Sequence, residues 1–260
     1  GWFLKSLPLK PRFRNNRENG ATLGECGEKP GRESEDPMRN IMASLLRIAV
    51  FVLMLVCWGW LMQLPFASAL DLGIVVGFIL LIFPLVWLGR KILDRQPTLD
   101  HTVRVTTIVH YAVVFLLGAS VFRAVATYSQ WPDRELPLPP GIGLALVLLT
   151  GPLAFLAVVN LALKGFGAPF AISLSRKLAA DWMYAWTRNP MVLGTLLFFL
   201  SVGIWVRSAL FVAWVLVLIA PVLLFFVKIY EERELEIRFG ASYLEYKSKT
   251  PMLIPRRPKA

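Results

Sequence analysis

The chain has 260 residues, with 28 Lys and Arg against 17 Asp and Glu, a net charge of +11 and 56% hydrophobic residues. Soluble domains carry about 45–50%, and here the apolar residues gather in long runs, which excludes a soluble globular fold. No soluble domain is left to carry a basic face, so the charge reads as topology and attraction to anionic lipid, not nucleic-acid binding.

Residues 1–40 differ in kind from the rest. Asn15, Asn16, Gly20, Gly24, Gly27, Pro30 and Gly31, with mixed charges between them, cannot build a core, and a disordered cytoplasmic segment is predicted. The first long apolar run starts too late and is too long for the apolar region of a signal peptide, so none is expected. Cys26 lies in the polar segment and Cys57 in an apolar run. A disulfide or a metal site is therefore not expected.

Six apolar runs follow, at 41–64, 69–89, 105–127, 141–163, 191–206 and 208–229. A crossing needs about 20 such residues for roughly 30 Å of hydrocarbon. The fifth run gives only about 24 Å at 1.5 Å per residue and should extend back through Pro190. The fold class is an all-α membrane protein. It is a polytopic bundle of about six transmembrane helices, with a C-terminal helical hairpin and a cytoplasmic tail. The expected divisions are 1–40, a four-span region 41–163, and a C-terminal unit 164–260. Of the 28 basic residues, 24 fall before the first run, after the second and fourth, or from the end of the sixth (Lys228) onward. Basic loops stay cytoplasmic, so both termini are placed in the cytoplasm.

The first four runs offer no evident chemistry. His110 stands alone in an apolar stretch and reads as packed. Arg123 is expected to snorkel outward, and Asn160 to hydrogen-bond a neighbouring helix.

Chemistry begins at Lys164. Gly165 and Gly167 form a Gly-x-Gly that could bring backbone close to a ligand, or simply cap a helix. The stretch from Leu178 continues through Asp181, Trp182, Met183, Tyr184, Ala185, Trp186 and Thr187 to Arg188, Asn189, Pro190, Met191 and Gly194. Pro190 suits a first helical turn, and Arg188 just before it could hold a carboxylate. Beyond the last run come Glu231, Glu232, Leu235, Phe239, Gly240, Tyr243, Tyr246, Pro251 and Pro255. A carboxylate at this low-dielectric boundary suits a cationic ligand, although i,i+4 pairs on a solvated helix end would read the same way. Gly240 should end the helix, letting the tyrosines and prolines fold the tail back as a lid.

This ordered set resembles the C-terminal half of the isoprenylcysteine carboxyl methyltransferase and phospholipid methyltransferase family. Members carry Leu, Gly-Pro-Tyr, then Arg-His/Asn-Pro-Met-Tyr-x-Gly, and later Glu-Glu-x-x-Leu, Phe-Gly-x-x-Tyr-x-x-Tyr and Pro. Trp182 and Met183 replace the Gly-Pro, and Val192 a frequent tyrosine. The resemblance implies an integral membrane methyltransferase that uses S-adenosylmethionine, entering from the cytoplasm. It places the cofactor on Gly165, Gly167, Tyr184, Arg188, Asn189, Pro190, Glu231, Glu232, Tyr243 and Tyr246. Trp182, Tyr184 and Trp186 could stack adenine or form an interfacial belt. No residue is singled out as a general base. The acceptor is membrane-borne or a small hydrophobic molecule: a prenylcysteine carboxylate, a phospholipid amine, a small thiol and another lipid all remain open. A bacterial inner membrane and the endoplasmic reticulum remain open. The competing readings are a membrane reductase using NADPH and a degenerate member acting as a scaffold.

Overall fold

The computed structural model describes residues 37–65, 68–131, 133–165 and 178–258. Among them the long elements are all helical: α1 (Pro37–Gln63), α2 (Ser68–Arg95), α3 (Leu99–Thr127), α4 (Pro140–Gly165) and α6 (Pro190–Trp205), with the short α5 (Met183–Trp186) before α6. A helical stretch, Ala209–Lys249, follows as α7 (Ala209–Trp214), α8 (Ala220–Phe226) and α9 (Glu232–Lys249); the part before Gly240 is called the rod. Four of the single helices and this rod are long and apolar enough to cross a membrane. The expected fifth crossing is α6, which does begin at Pro190 and is shorter than the rest. The bundle therefore has about six apolar helices. One end carries the end of α4, the start of α6 and α9, and is called here the tail end.

Two π turns, Val215–Ile219 and Val227–Glu231, join α7 to α8 and α8 to α9. Pro221 has no N–H to give Val217, which disturbs the α ladder around the first of them. The second ends at Glu231 and so sets the direction of the acidic run that follows. Gly240, at φ +53° and ψ −128°, breaks α9 where the sequence predicts a stop. The helix resumes beyond it and runs to Lys249.

The main core lies between α2, α3 and the rod. Ile79, Ile82 and Val86 meet Val109 and Val113, with Val215, Ile219, Val222, Phe226 and Tyr230 closing the third side. α4 and α6 pair antiparallel, and Gly194 permits it: a Cβ there would lie 2.9 Å from Cα of Ala154. One turn along, Thr150 Oγ1 donates to Ser201 Oγ at 3.2 Å. Counting along this pair toward the tail end sets Asn160 level with residues 188–190.

The snorkelling expected of Arg123 does not occur. Its side chain is buried, pairs with Asp71 of α2 through Nε at 2.6 Å, and donates through Nη1 to Leu61 O of α1 at 2.7 Å. An inward carboxylate on the next helix makes burial cheaper than a route to water, and three helices are tied together at the far end of the bundle. Breaking the pair from one side leaves a buried charge. Arg123→Met should therefore destabilise by about 3–5 kcal/mol, while Arg123→Met with Asp71→Leu should recover most of it. Thermal unfolding in detergent measures both.

Candidate functional site

The tail end collects the residues that the sequence separates. Asn189 precedes α6, and Pro190 occupies its first turn, where a missing N–H costs nothing. This puts Arg188 at the mouth of the helix, facing α9. Its Nη2 meets Glu232 Oε1 at 2.5 Å, and its Nη1 donates to Lys247 O at 2.8 Å and Thr250 O at 2.7 Å. The two side chains are 9% and 4% exposed. Glu232 also receives Lys247 Nζ at 2.8 Å and Lys228 Nζ at 3.3 Å. Arg188 thus caps the last carbonyls of α9 while neutralising a carboxylate at its start. Its Nε is buried without a partner.

The tail does fold back on this loop. The Arg188 N–H donates to Pro251 O at 2.9 Å, and Arg256 N–H to Trp186 O at 3.0 Å. Thr187 Oγ1 and Asn189 Nδ2 both reach Met252 O, at 3.1 and 2.9 Å. Tyr246 donates its hydroxyl to Tyr184 O at 2.6 Å. Tyr243 is buried beside Tyr246, with ring centroids 6.2 Å apart. Tyr184 is buried too, and burial, reinforced by the nearby Glu231 carboxylate, pushes its phenol well up from the ordinary value. It stays neutral at any physiological pH.

Arg188, Asn189, Pro190, Tyr184, Glu232, Tyr243 and Tyr246 are therefore one connected cluster. Gly165 is the last residue of α4, whereas Gly167 lies outside the described residues. Trp182 and Trp186 are exposed, at 62% and 49%, as a belt requires. Glu231 turns away from Glu232 and faces α3. Its partner is His110, with Nε2 and Oε1 3.5 Å apart. Within the run, Glu234 pairs with Arg238, and Glu236 with Lys247 and Arg233. Glu231 has neither Lys nor Arg against it among the described residues.

Two groups that the sequence leaves without a role belong here. His110 is one, being no isolated packed histidine. The other is Asn160, which is buried at 1% exposure with neither its Oδ1 nor its Nδ2 hydrogen-bonded. The neighbouring-helix bond expected of it is not made. A buried carboxamide left wholly unsatisfied costs several kcal/mol, and at the level of residues 188–190 it is available to a polar ligand. A spacing signal could have hinted at Asn160, since it lies five residues before the Gly-x-Gly. Nothing local marks His110.

Trp182 stands at φ +54° and ψ −119°, in the position where the resembled motif has glycine. The backbone keeps a glycine's conformation under an indole, and such strain costs about 1–3 kcal/mol. Trp182→Gly should raise the unfolding free energy by about 1 kcal/mol, read as a higher Tm. Arg188→Met should release the tail, accelerating limited proteolysis around residues 247–256 and lowering stability by about 2–3 kcal/mol. Arg188→Lys keeps the charge without the fork and should recover only part.

No curated protein and no solved structure gives a significant match to the chain. Residues 140–242, which supply α4, α6, the hairpin and the acidic run, match the family model described as phospholipid methyltransferase.

Proposed function

We propose that the protein is an S-adenosylmethionine-dependent methyltransferase of the membrane surface, with the tail end of the bundle on the cytoplasmic side and a lipid or lipidated molecule as acceptor. The observation that carries the reading is the Arg188–Glu232 contact at 2.5 Å. It joins the two halves of a motif 44 residues apart in the chain, inside a segment that matches a methyltransferase family.

The residues present fit that cofactor. Glu231, with neither Lys nor Arg against it among the described residues, offers its carboxylate to a positive sulfur or ammonium. Asn160 offers an unused donor and acceptor, and Arg188 Nε one further donor. Asn189, Pro190 and Tyr184 hold the wall between them, and Gly165, the last residue of α4, starts the Gly-x-Gly expected to approach the cofactor. Glu232, Tyr243 and Tyr246 act one step back, fixing Arg188 and the loop. S-adenosylmethionine, when bound, supplies an electrophilic methyl group on a positively charged sulfur. The chain's task is to align and enclose the reactants, which can supply several kcal/mol of the barrier. The tail laid over residues 184–189 keeps the site from open water, and the apolar faces of α4 and α6 admit an acceptor from lipid.

Calorimetric titration of the purified protein with S-adenosylmethionine tests this. Glu231→Gln and Asn160→Leu should each weaken binding about ten- to a hundred-fold, one charge-assisted or buried contact apiece. Glu245→Gln, on the exposed face of α9 against Lys249, should leave it unchanged. Binding of NADPH in its place, or of neither molecule, would sink the reading.

A further inference from the structure

His110 is supplied by α3, outside the residues that match the family. Its Nδ1 lies 2.9 Å from Thr106 O. A carbonyl only accepts, so Nδ1 carries the hydrogen and donates. The neutral ring then turns the lone pair of Nε2 toward the Glu231 carboxylate, 3.5 Å away. Two acceptors face one another with room for a single proton between them. Phe226 stands edge-on to the imidazole at 5.0 Å and Tyr230 at 6.2 Å, so the ring is held in this orientation.

The charged and titratable groups around the pair are otherwise engaged. On the rod, Tyr230 shares a hydrogen bond with Thr106 Oγ1 at 3.2 Å, and Glu234 is paired with Arg238. From α2, Arg90 gives Nη1 to Ile229 O at 2.9 Å and Nε to Asp94 at 2.7 Å. From the loop, Tyr184 lies within reach of the Glu231 charge and is a neutral phenol. No lysine or arginine among the described residues neutralises Glu231, which leaves its carboxylate open to an imidazolium as well as to the cofactor's positive charge.

We propose that His110, backed by Glu231, is the proton acceptor of this site, and that the methyl acceptor is accordingly a molecule whose nucleophilic atom enters carrying a hydrogen, an amine or a thiol. This rests on the methyltransferase reading above. In the step, the N–H or S–H bond breaks and its electron pair stays on nitrogen or sulfur as the attacking lone pair. The methyl–sulfur bond breaks as the new N–C or S–C bond forms, its electron pair leaving on the cofactor's sulfur as a neutral thioether. The proton ends on His110 Nε2, where the Glu231 carboxylate stabilises the imidazolium. A carboxylate acceptor has no proton to lose and would meet Glu231 as a like charge, so the pair is of no use to it.

The test uses the full chain in phosphatidylcholine nanodiscs with labelled S-adenosylmethionine. The acceptor is phosphatidylethanolamine in one arm, octanethiol in a second and a farnesylcysteine carboxylate in the third. Transfer to the amine or the thiol should fall about a hundredfold in His110→Gln, and the acid limb of the pH–rate profile should vanish. S-adenosylmethionine affinity should fall far less than turnover, because His110 reaches the cofactor only through Glu231. Imidazole ¹⁵N resonances give a reading independent of turnover. His110 should appear with hydrogen on Nδ1, and Glu231→Gln should shift its titration. Equal rates in His110→Gln, transfer to the carboxylate alone, or a His110 titration untouched by Glu231→Gln overturns the proposal. Failure of the wild-type chain to bind S-adenosylmethionine overturns the methyltransferase reading instead.

Discussion

A guanidinium and a carboxylate, both more than nine-tenths buried, hold the C-terminal half of this chain together. Neither charge could be taken from water alone without a cost of several kcal/mol. Each therefore needs the other, and the surroundings follow from that need. Arg188 has to sit at the mouth of α6, which Pro190 starts. Glu232 has to emerge from the rod on the same side, which the π turn ending at Glu231 arranges. The remaining donors of Arg188 must find acceptors, and the last carbonyls of α9 with Thr250 provide them. The tail is drawn over the loop as a consequence of satisfying one fork of hydrogen bonds.

That arrangement divides the site by direction. Successive residues on a helix point about 100° apart, so Glu231 and Glu232 cannot serve the same wall. Glu232 closes the loop and the tail, and its charge is consumed there. Glu231 looks across to α3, which carries none of the family's motif. The first four crossings, read from the sequence as inert, bring two polar groups to this end of the bundle: a histidine from α3 against Glu231 and an unsatisfied carboxamide from α4.

Much of this was legible beforehand, for an identifiable reason. Crossings are written as runs of apolar residues, and α6 could be extended to Pro190 from length alone. The residues Tyr184, Arg188, Asn189, Pro190, Glu232, Tyr243 and Tyr246 could be picked out by the resemblance of their spacing to a known motif, and the structure brings them together; their expected role toward a cofactor is a separate matter. Arg123 was misread because its partner, Asp71, lies 52 residues earlier, and only the rotation of α2 against α3 shows that they meet. His110 and Asn160 escaped for the same reason. A polar residue in an apolar helix has no sequence mark for which face it occupies, and nearly uniform hydrophobicity around these helices removes even the usual stripe.

The π turn at Val227–Glu231 has a bearing on how chains of this kind are compared with one another. It amounts to one residue inserted into an α-helix. A relative lacking that residue would have a regular helix with every later side chain turned by about 100°, and its acidic pair would present the other member to the loop. Two chains could then share Glu-Glu letter for letter and yet use different glutamates for the same task. Across this hairpin a single-residue gap is a change of geometry, and the length of the segment carries information that the identity of its residues does not.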